Sequence, residues 1–400
     1  MSEGLLAGLR VLDFSRVLAG PLCTMILADL GADVIKVERP RLGDDTRQWG
    51  PPWFGEGEDR LSAYFLSVNR NKRSLTLNLK HPRGREIARE LAVRADVLVE
   101  NFRRGQMAAF GLGYEALRAR NPALVYASIT GFGQSGPYRD RPGYDYVVQA
   151  MSGLMAITGP PQGSPYKVGV AISDVIAGLF AATSILAAVR SAERSRRGEY
   201  IDVALLDTSV AALVNIISNV LISGQAPRRY GNQHPNIVPY QTFEAADGAF
   251  VLAVGNDGQF ARLCALLERP EWARDPRFAT NPARVQHREV LVALLSPIFR
   301  ARTVADWVEA LLAAGIPAGP IHDLPDVLAD PHIAARGLLH ELPLGDDILR
   351  LVGPPVQFAE QPARVRTPPP RLGEHTEAVL GELLGMDAAQ IAALRAEGVL

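Results

Sequence analysis

The residue whose type and position most invite a chemical explanation is Asp174, a carboxylate at the head of an apolar run from Val175 to Val189. At the start of a helix, the dipole and the free N–H groups favour an ionised carboxylate, whereas burial raises its pKa. Such a side chain can cap a core helix. When it is stripped of water, it can also attack an activated acyl group as a nucleophile. Taken alone, Asp174 is better interpreted as a cap.

A second set of residues suited to chemistry is basic. Its members lie at the ends of the predicted strands of the first part of the chain or in the adjoining loops: Arg16, Lys36, Arg39, Arg70, Lys72, Arg73, Arg103 and Arg104. In open parallel sheets, ligands bind beyond the carboxyl ends of the strands. Arginine and lysine gathered there suit a phosphorylated ligand. Any one of these side chains could simply solvate a loop, but the group as a whole predicts a site for an anionic ligand.

Other kinds of chemistry have less support. The run Gly131–Gly136 has G-x-G-x-x-G spacing, but the prolines after it predict a turn where a dinucleotide site needs a helix. We interpret the run as a glycine-rich active-site loop or a plain turn. The histidines are scattered without H-x-x-x-H spacing, so we expect no metal. No G-x-S-x-G follows a strand, and no Walker-type loop occurs.

Composition limits the partners and the location. A formal net charge of −1 gives no general attraction to nucleic acid or acidic lipid. The apolar run after Asp174 is shorter than the roughly 20 residues of a bilayer span, so a buried helix is predicted and no membrane partner is expected. Cys23 and Cys264 form no disulfide framework, and the N-terminus lacks the features of a signal peptide. We therefore expect a cytoplasmic protein.

The elements that must position these residues are of α/β type. Leu9–Phe14 predicts a strand, Pro21 opens a helix that ends at Gly31, and Asp33–Glu38 predicts a second strand, which together form a βαβ unit. Strands and helices then alternate. They include a strand at Ser74–Leu79 and an apolar helix over Asp207–Ser223 with Asp207 as its cap.

The composition of the sequence changes at Gly224. Residues 225–325 contain a polar crossover, a hairpin with an Asp-Gly turn and several helices. Because 400 residues exceed what one compact core usually holds, we expect more than one domain. The predicted division is a large domain over residues 1–224 and a smaller α+β domain over residues 225–325.

Several segments carry a resemblance that extends over essentially the whole chain. They are Val11–Phe14 with Ala19–Pro21, Leu30–Glu38, Asn71–Ser74, Asp96–Arg103, Thr130–Gly133 with Gly136–Tyr138, Gly143–Asp145, Arg197–Val203, Gly315–Pro320 and Leu372–Thr376. In these segments the chain resembles the class III CoA-transferases. That family includes formyl-CoA, carnitine and succinyl-CoA:dicarboxylate CoA-transferases, together with the α-methylacyl-CoA racemases.

The resemblance implies a covalent role for Asp174. In the implied reaction, Asp174 attacks the thioester of an acyl-CoA donor and then carries CoA as an aspartyl-CoA thioester, until an acceptor carboxylate removes it. Backbone N–H groups of glycine-rich loops would stabilise the oxyanions. No metal and no tightly bound cofactor are implied, since CoA enters as part of the substrate. The partners are then acyl-CoA and small carboxylic acids.

Further site residues carry over from the family pattern. Those implied to contact CoA are Arg16, Val17, Leu18, Ala19, Arg39, Lys72, Arg73, Asn101, Phe102 and Arg103. Those implied to form active-site loops are Gly143, Tyr144, Asn232 and His234. Formyl-CoA transferase has a glutamine at the position of Leu18 and a glycine run in the region of residues 231–236. Both departures argue against oxalate as acceptor and favour the succinyl-CoA-dependent dicarboxylate branch.

The alternative within the family is an α-methylacyl-CoA racemase. Racemases carry a histidine at the position of Tyr144 and use it with the aspartate as an acid/base pair. A tyrosine, with an ordinary pKa of about 10, is a poor base at neutral pH, so the transferase is preferred. The resemblance also implies a Rossmann-like large domain built from both chain ends, which residues 326–400 complete, and an interlocked homodimer.

Overall fold

The computed structural model describes residues 4–57 and 60–400. The chain opens with the predicted βαβ unit, namely strand β1 (Arg10–Asp13), helix α1 (Ala19–Asp29) and strand β2 (Asp33–Glu38). Gly31 has a φ of 112°, which only glycine adopts readily, and it follows the end of α1. The two strands are parallel, with Leu12 opposite Ile35.

The following strands and helices continue the alternation. The strands are β3 (Trp53–Phe54), β4 (Leu61–Ser62), β5 (Lys72–Thr76), β6 (Val97–Glu100), β7 (Val125–Thr130) and β8 (Tyr200–Ala204), with a short 3-10 helix at Asp45–Gln48. The helices are α2 (Ala63–Ser67), α3 (Pro82–Val93), α4 (Gln106–Ala109), α5 (Tyr114–Arg118), α6 (Asp145–Met151), α7 (Leu154–Ile157), α8 (Ile172–Ser195), α9 (Leu205–Ala211) and α10 (Val214–Ser223).

Six of these strands form one sheet in the order β5-β2-β1-β6-β7-β8. Every neighbouring pair in it is parallel. The central strands β1, β6 and β7 are almost wholly buried, as strands of a parallel sheet covered by helices on both faces are. The order reverses between β1 and β6, as in Rossmann-type sheets, and ligands bind at that switch point. The predicted α/β class with a parallel sheet is confirmed.

The chain folds as two compact units. The first comprises the residues up to Leu154, Lys167–Gln225 and His332–Leu400, and the second comprises Met155–Tyr166 and Ala226–Pro331.

The second unit is built on an antiparallel sheet of β9 (Tyr240–Glu244), β10 (Ala249–Ala253) and β11 (Ala318–Pro320). Its helices are α11 (Asp257–Leu266), α12 (Asn281–Gln286), α13 (Arg288–Phe299), α14 (Val304–Ala313) and α15 (Leu324–Ala329), with a 3-10 helix at Pro270–Arg274. The hairpin of β9 and β10 turns at Asp247-Gly248, as predicted. Phe243, Phe250 and Phe299 pack at the centre of this unit.

The C-terminal segment contributes to the core of the first unit. After α16 (Pro331–Ala335) come the hairpin of β12 (Leu339–Leu344) and β13 (Asp347–Val352) and two helices, α17 (Thr376–Leu384) and α18 (Ala388–Ala396). The side chains of Leu380 and Leu394 pack in the same buried cluster as Leu75 of β5. Val399 is fully buried, and its carbonyl accepts the N–H of Asn78 at 2.8 Å.

Helix α8 covers the opposite face of the sheet. Its 24 residues include a window with a mean hydropathy of 2.0, long and apolar enough to cross a membrane by composition. In the structure, Ala177, Ala181 and Ile185 are buried against α1 and the sheet. One face of the helix is therefore buried, as the sequence predicts, whereas Leu179 and Phe180 on another face are about half exposed.

Two predictions about individual elements are wrong. The strand predicted at Ser74–Leu79 is β5 and begins earlier, because Lys72 lies within the sheet and is paired with a buried acid. The helix predicted over Asp207–Ser223 is two helices, α9 and α10, joined at an angle of 74°. Asp207 lies in the first turn of α9 and does not cap it.

Candidate active site

A cavity of about 360 Å³ opens at the carboxyl ends of four adjacent strands of the first unit. Its lining includes the segments that directly follow β1, β6, β7 and β8, which is where an open parallel sheet binds ligands. The lining residues are Arg16, Val17, Leu18, Ala19, Asp45, Asn101, Phe102, Arg103, Arg104, Ile129, Thr130, Gly131, Phe132, Arg139, Asp140, Arg141, Pro142, Gly143, Tyr144, Asp174 and Leu205.

Asp174 lies in the first turn of α8 and lines this cavity. It is not the cap of that helix, since the capping position is Ala171. The carboxylate of Asp145 accepts the backbone N–H of Ser173 at 2.8 Å and performs the capping instead. Within residues 4–57 and 60–400, no hydrogen bond to the Asp174 carboxylate is found. The capping interpretation of Asp174 is therefore wrong.

The environment of Asp174 makes its carboxylate unusually basic. Burial raises the pKa to about 7, and the like charge of Asp145 adds to the effect. Asp145 is fixed beside it because its other oxygen accepts the amide of Gln149 at 2.7 Å. A carboxylate that is desolvated and has no hydrogen bonds is a stronger nucleophile than one in water.

The loop after β1 is held in a conformation that few side chains adopt. Val17 has a φ of 71°, which is costly for a β-branched residue. Its N–H donates to the two carboxylate oxygens of Asp44 at 3.2 and 3.3 Å. Asp44 is itself fully buried and paired with Lys36 at 2.9 Å. The buried ion pair thus stabilises the loop that forms one wall of the cavity.

The loop after β6 is joined to the loop after β1. The side chain of Asn101 accepts the N–H of Arg16 at 2.9 Å and donates to its carbonyl at 2.6 Å. The guanidinium of Arg16 lies over the ring of Phe102, 5.1 Å from its centroid. The N–H of Phe102 donates to Glu100 at 2.8 Å. These contacts fix the two walls at the switch point of the sheet.

The glycine-rich loop follows β7 and forms a third wall. A Cβ on Gly131 would lie 2.6 Å from the Cα of Gly143, so the two backbones approach too closely for any side chain. Gly133 has a φ of 81° and donates its N–H to Thr130 at 2.9 Å. No helix starts within residues 131–143, so the loop lacks the helix N-terminus of a dinucleotide site. Its interpretation as an active-site loop or turn agrees with this geometry.

The structure brings together ten of the residues that the resemblance implied. Arg16, Val17, Leu18, Ala19, Asn101, Phe102, Arg103, Gly143, Tyr144 and Asp174 all line the cavity. Asn232 and His234 belong to the second unit, and their part in the site stays a prediction.

Three of the basic residues expected to contact CoA lie elsewhere. Lys72 is buried in β5 with its ammonium 3.2 Å from Asp13. Arg73 pairs with Asp33 and Glu382, both at 2.7 Å. Arg39 does not line the cavity. It pairs at 2.5 Å with Asp45, which does line it. Lys72 and Arg73 are held in the sheet, because β5 begins at Lys72.

Sequence reasoning missed several residues of the site. Asp145 lies in the segment Gly143–Asp145 that carries the resemblance, but the sequence alone assigns no role to it. Arg139 and Arg141 line the cavity without having been singled out in the sequence, whereas Arg104, which also lines it, belongs to the predicted basic set. Within the described ranges, no group of histidine, cysteine and acidic residues could hold a metal ion.

The comparisons with known proteins define the class. The chain belongs to CoA-transferase family III, whose family model matches residues 6–376. It is thus a class III CoA-transferase, as its motifs indicated.

Individual proteins are also similar to this chain in sequence or in structure. The chain is 49% identical over 381 residues to succinate–glutarate CoA-transferase of Agrobacterium fabrum, with 94% of this chain and 95% of that protein covered. It is 45% identical to succinyl-CoA:glutarate CoA-transferase of Mus musculus, with coverage of 99% and 90%. A crystal structure of a CAIB/BAIF family protein from Brucella suis superposes with a TM-score of 0.84 at 45% identity, covering 95% of this chain and 100% of that one.

Proposed function

We propose that this enzyme transfers CoA from succinyl-CoA to a small dicarboxylic acid through an aspartyl-CoA thioester at Asp174. The observation that carries the proposal is the carboxylate of Asp174, which lines the cavity and has a raised pKa. It does not cap α8, because Asp145 caps that helix. The named relatives act on succinyl-CoA, succinate and glutarate, which supports the choice of donor and acceptor class.

The first half of the reaction loads CoA onto the enzyme. A carboxylate oxygen of Asp174 attacks the thioester carbonyl of succinyl-CoA, the C–S bond breaks, and a mixed anhydride and CoA thiolate form. The thiolate then attacks the aspartyl carbonyl of the anhydride and displaces succinate. The product is a thioester between Asp174 and CoA. Charge is conserved, since one carboxylate is consumed and one is released.

The second half reverses these steps with the acceptor. The acceptor carboxylate attacks the aspartyl-CoA carbonyl and releases the thiolate, which leaves an acceptor–aspartyl anhydride. The thiolate attacks the acceptor carbonyl, forms the new acyl-CoA and frees Asp174. Because a thiolate is released within the enzyme in both halves, CoA must stay bound throughout.

The walls of the cavity suit that requirement. We assign CoA binding to the loop Arg16–Ala19 and to Asn101, Phe102 and Arg103, with the nearby arginines attracting its phosphates. The backbone N–H groups of the glycine-rich loop are candidates for stabilising the oxyanions.

We also propose that the enzyme is a cytoplasmic, interlocked homodimer. Large apolar side chains are exposed on α8 and α10, among them Phe180 at 48%, Leu221 at 78% and Ile222 at 88%. Contiguous exposed apolar surface is characteristic of an interface. A second copy of the chain would cover these side chains.

The function is tested by incubating the protein with succinyl-CoA and glutarate and following new acyl-CoA by mass spectrometry. Wild-type protein should form glutaryl-CoA, and Asp174→Ala should form none above background. The exposed acid Asp207 supplies the matched control, since Asp207→Asn should keep full activity. Hydroxylamine should modify Asp174 only when donor is present.

Two results would contradict the proposal. Activity that survives in Asp174→Ala would remove the nucleophile. Solvent deuterium entering the α-position of a 2-methylacyl-CoA, without any transfer of CoA, would replace the transferase with a racemase.

A further inference from the structure

Gln149 is a buried amide of the first unit whose orientation is fixed by its partners. It lies in α6, one turn after Asp145, and is fully buried. Its Oε1 accepts the backbone N–H of Val168 at 2.9 Å. Its Nε2 donates to Asp145 at 2.7 Å and to the carbonyl of Val170 at 3.3 Å. Because a backbone N–H only donates and a backbone carbonyl only accepts, these bonds leave the amide one orientation.

This orientation determines where the negative charge of the pair lies. Since Nε2 of Gln149 is a donor, the facing oxygen of Asp145 must accept. The other oxygen of Asp145 accepts the N–H of Ser173 at 2.8 Å, so both oxygens face N–H groups that stabilise a negative charge there. Ser173 directly precedes Asp174. Burial raises the pKa of Asp174 to about 7, and the charge of Asp145 is a second cause of that rise.

A fixed charge on Asp145 affects the step in which Asp174 is acylated. In that step an oxygen of Asp174 forms a bond to the acyl carbon of the donor while the C–S bond breaks. The negative charge therefore passes from Asp174 to the sulfur of CoA. Repulsion between Asp145 and Asp174 is present before the step and is relieved by it. An unfavourable interaction that weakens on the way to the transition state lowers the barrier.

We propose that Gln149 is a positioning residue that holds the negative charge of this pair on Asp145 and thereby promotes the acylation of Asp174. The inference rests on the proposed function, in which Asp174 attacks the donor thioester. Gln149 does not line the cavity, so it acts on the reaction through Asp145. If Gln149 only joined α6 to the loop before α8, any side chain that kept its hydrogen bonds would serve equally well.

The experiment measures the first half of the reaction alone. Succinyl-CoA is mixed with excess enzyme and no acceptor, and the succinate released in the first turnover is followed by rapid quench. A pH of about 8.5 keeps Asp174 ionised in every variant. In Gln149→Met the rate should fall about 10-fold, whereas the Kd of succinyl-CoA, obtained from the concentration dependence of that rate, should change by less than about threefold. The exposed Gln361 supplies the matched control, and Gln361→Met should change neither quantity.

A second variant covers the case in which Gln149→Met fails to fold, since that change leaves the buried N–H of Val168 without its partner. The double variant Asp145→Asn with Gln149→Glu moves the negative charge from position 145 to position 149. The new amide can accept from Ser173 and donate to the new carboxylate, which still accepts from Val168, so the fold should be kept.

The first-turnover rate of this double variant should also fall about 10-fold, because the charge no longer lies on the side chain that caps α8. A wild-type rate in the double variant would show that the hydrogen bonds alone matter and would overturn the inference. So would a wild-type rate in Gln149→Met. If the wild-type protein released no succinate and transferred no CoA to any acid, the proposed function itself would fail.

Discussion

At the scale of single residues, Asp174 shows how its neighbours change the properties of a common side chain. Asp145 takes over the capping of α8 and adds a negative charge beside Asp174. Burial removes water, which would otherwise stabilise the ionised form. The carboxylate is therefore left without hydrogen bonds at the edge of the cavity, with its charge available to an acyl group.

This arrangement predicts a pH dependence. Since the pKa of Asp174 is raised to about 7, the nucleophilic carboxylate is lost as the pH falls through that value, and kcat/KM for succinyl-CoA should fall with it. Asp145→Asn removes one cause of the raised pKa yet keeps an oxygen for the N–H of Ser173. The acidic limb of the profile should then move to lower pH. Rates measured between about pH 5 and pH 9 test this, and an unmoved limb would contradict it.

Lys72 is a case in which family pattern and structure point to different roles. Its ammonium is buried against Asp13, and burial lowers its pKa to about 8. We predict that Lys72→Met lowers the free energy of unfolding by about 3–5 kcal/mol, because it removes the ion-pair partner of the buried Asp13 carboxylate. KM for the CoA substrate should stay unchanged in the folded fraction. Urea unfolding and steady-state kinetics separate the two effects.

The exposed Lys80 provides the control for that measurement, since Lys80→Met should change neither quantity appreciably. A large rise in KM for Lys72→Met with little loss of stability would instead favour a direct contact with CoA.

At the scale of elements, the close crossing of α1 and α8 sets the geometry of the site. A Cβ on Gly178 would lie 2.7 Å from the carbonyl oxygen of Ala19. Gly178 is one turn beyond Asp174, and Ala19 lines the cavity. The absence of a side chain at Gly178 thus allows Asp174 to lie near the wall formed by the loop after β1.

We predict that Gly178→Ala destabilises the protein by about 1–3 kcal/mol and lowers kcat, because the two helices must separate. Gly169→Ala is the matched control, since nothing lies within 4 Å of a Cβ at that position. Thermal unfolding and kcat, measured for both variants, test this prediction. If Gly178→Ala keeps wild-type kcat, the crossing does not position Asp174.

Elements were easier to predict from the sequence than the pairing of charges. The alternation of β1, α1 and β2 follows from apolar runs and from Pro21 and Gly31, all of which act within a few residues. By contrast, the contact of Asp44 with Val17 and that of Asp145 with Ser173 join residues that are far apart in sequence. Such pairings depend on the strand order, and no local pattern specifies them. The resemblance alone implies a covalent role for Asp174, whereas the structure shows that Asp174 does not cap α8.

At the scale of the whole molecule, exposed apolar side chains predict self-association. We expect light scattering to give twice the mass of the chain. Ile222→Glu should weaken the dimer, because it places a charge on an apolar surface of α10. Ile348→Glu, on the exposed hairpin of β12 and β13, is the control and should leave the dimer intact. A monomeric wild-type protein would contradict the proposed assembly.

The burial of Val399 has a consequence for how the protein is made. Leu12 of β1 and Val399 lie in one buried cluster, so an apolar face of the sheet stays partly uncovered until α17 and α18 have been synthesised. Exposed apolar surface favours aggregation, so we expect the partly synthesised first unit to be prone to it. The first unit can complete this core only after residues 376–399 have been synthesised.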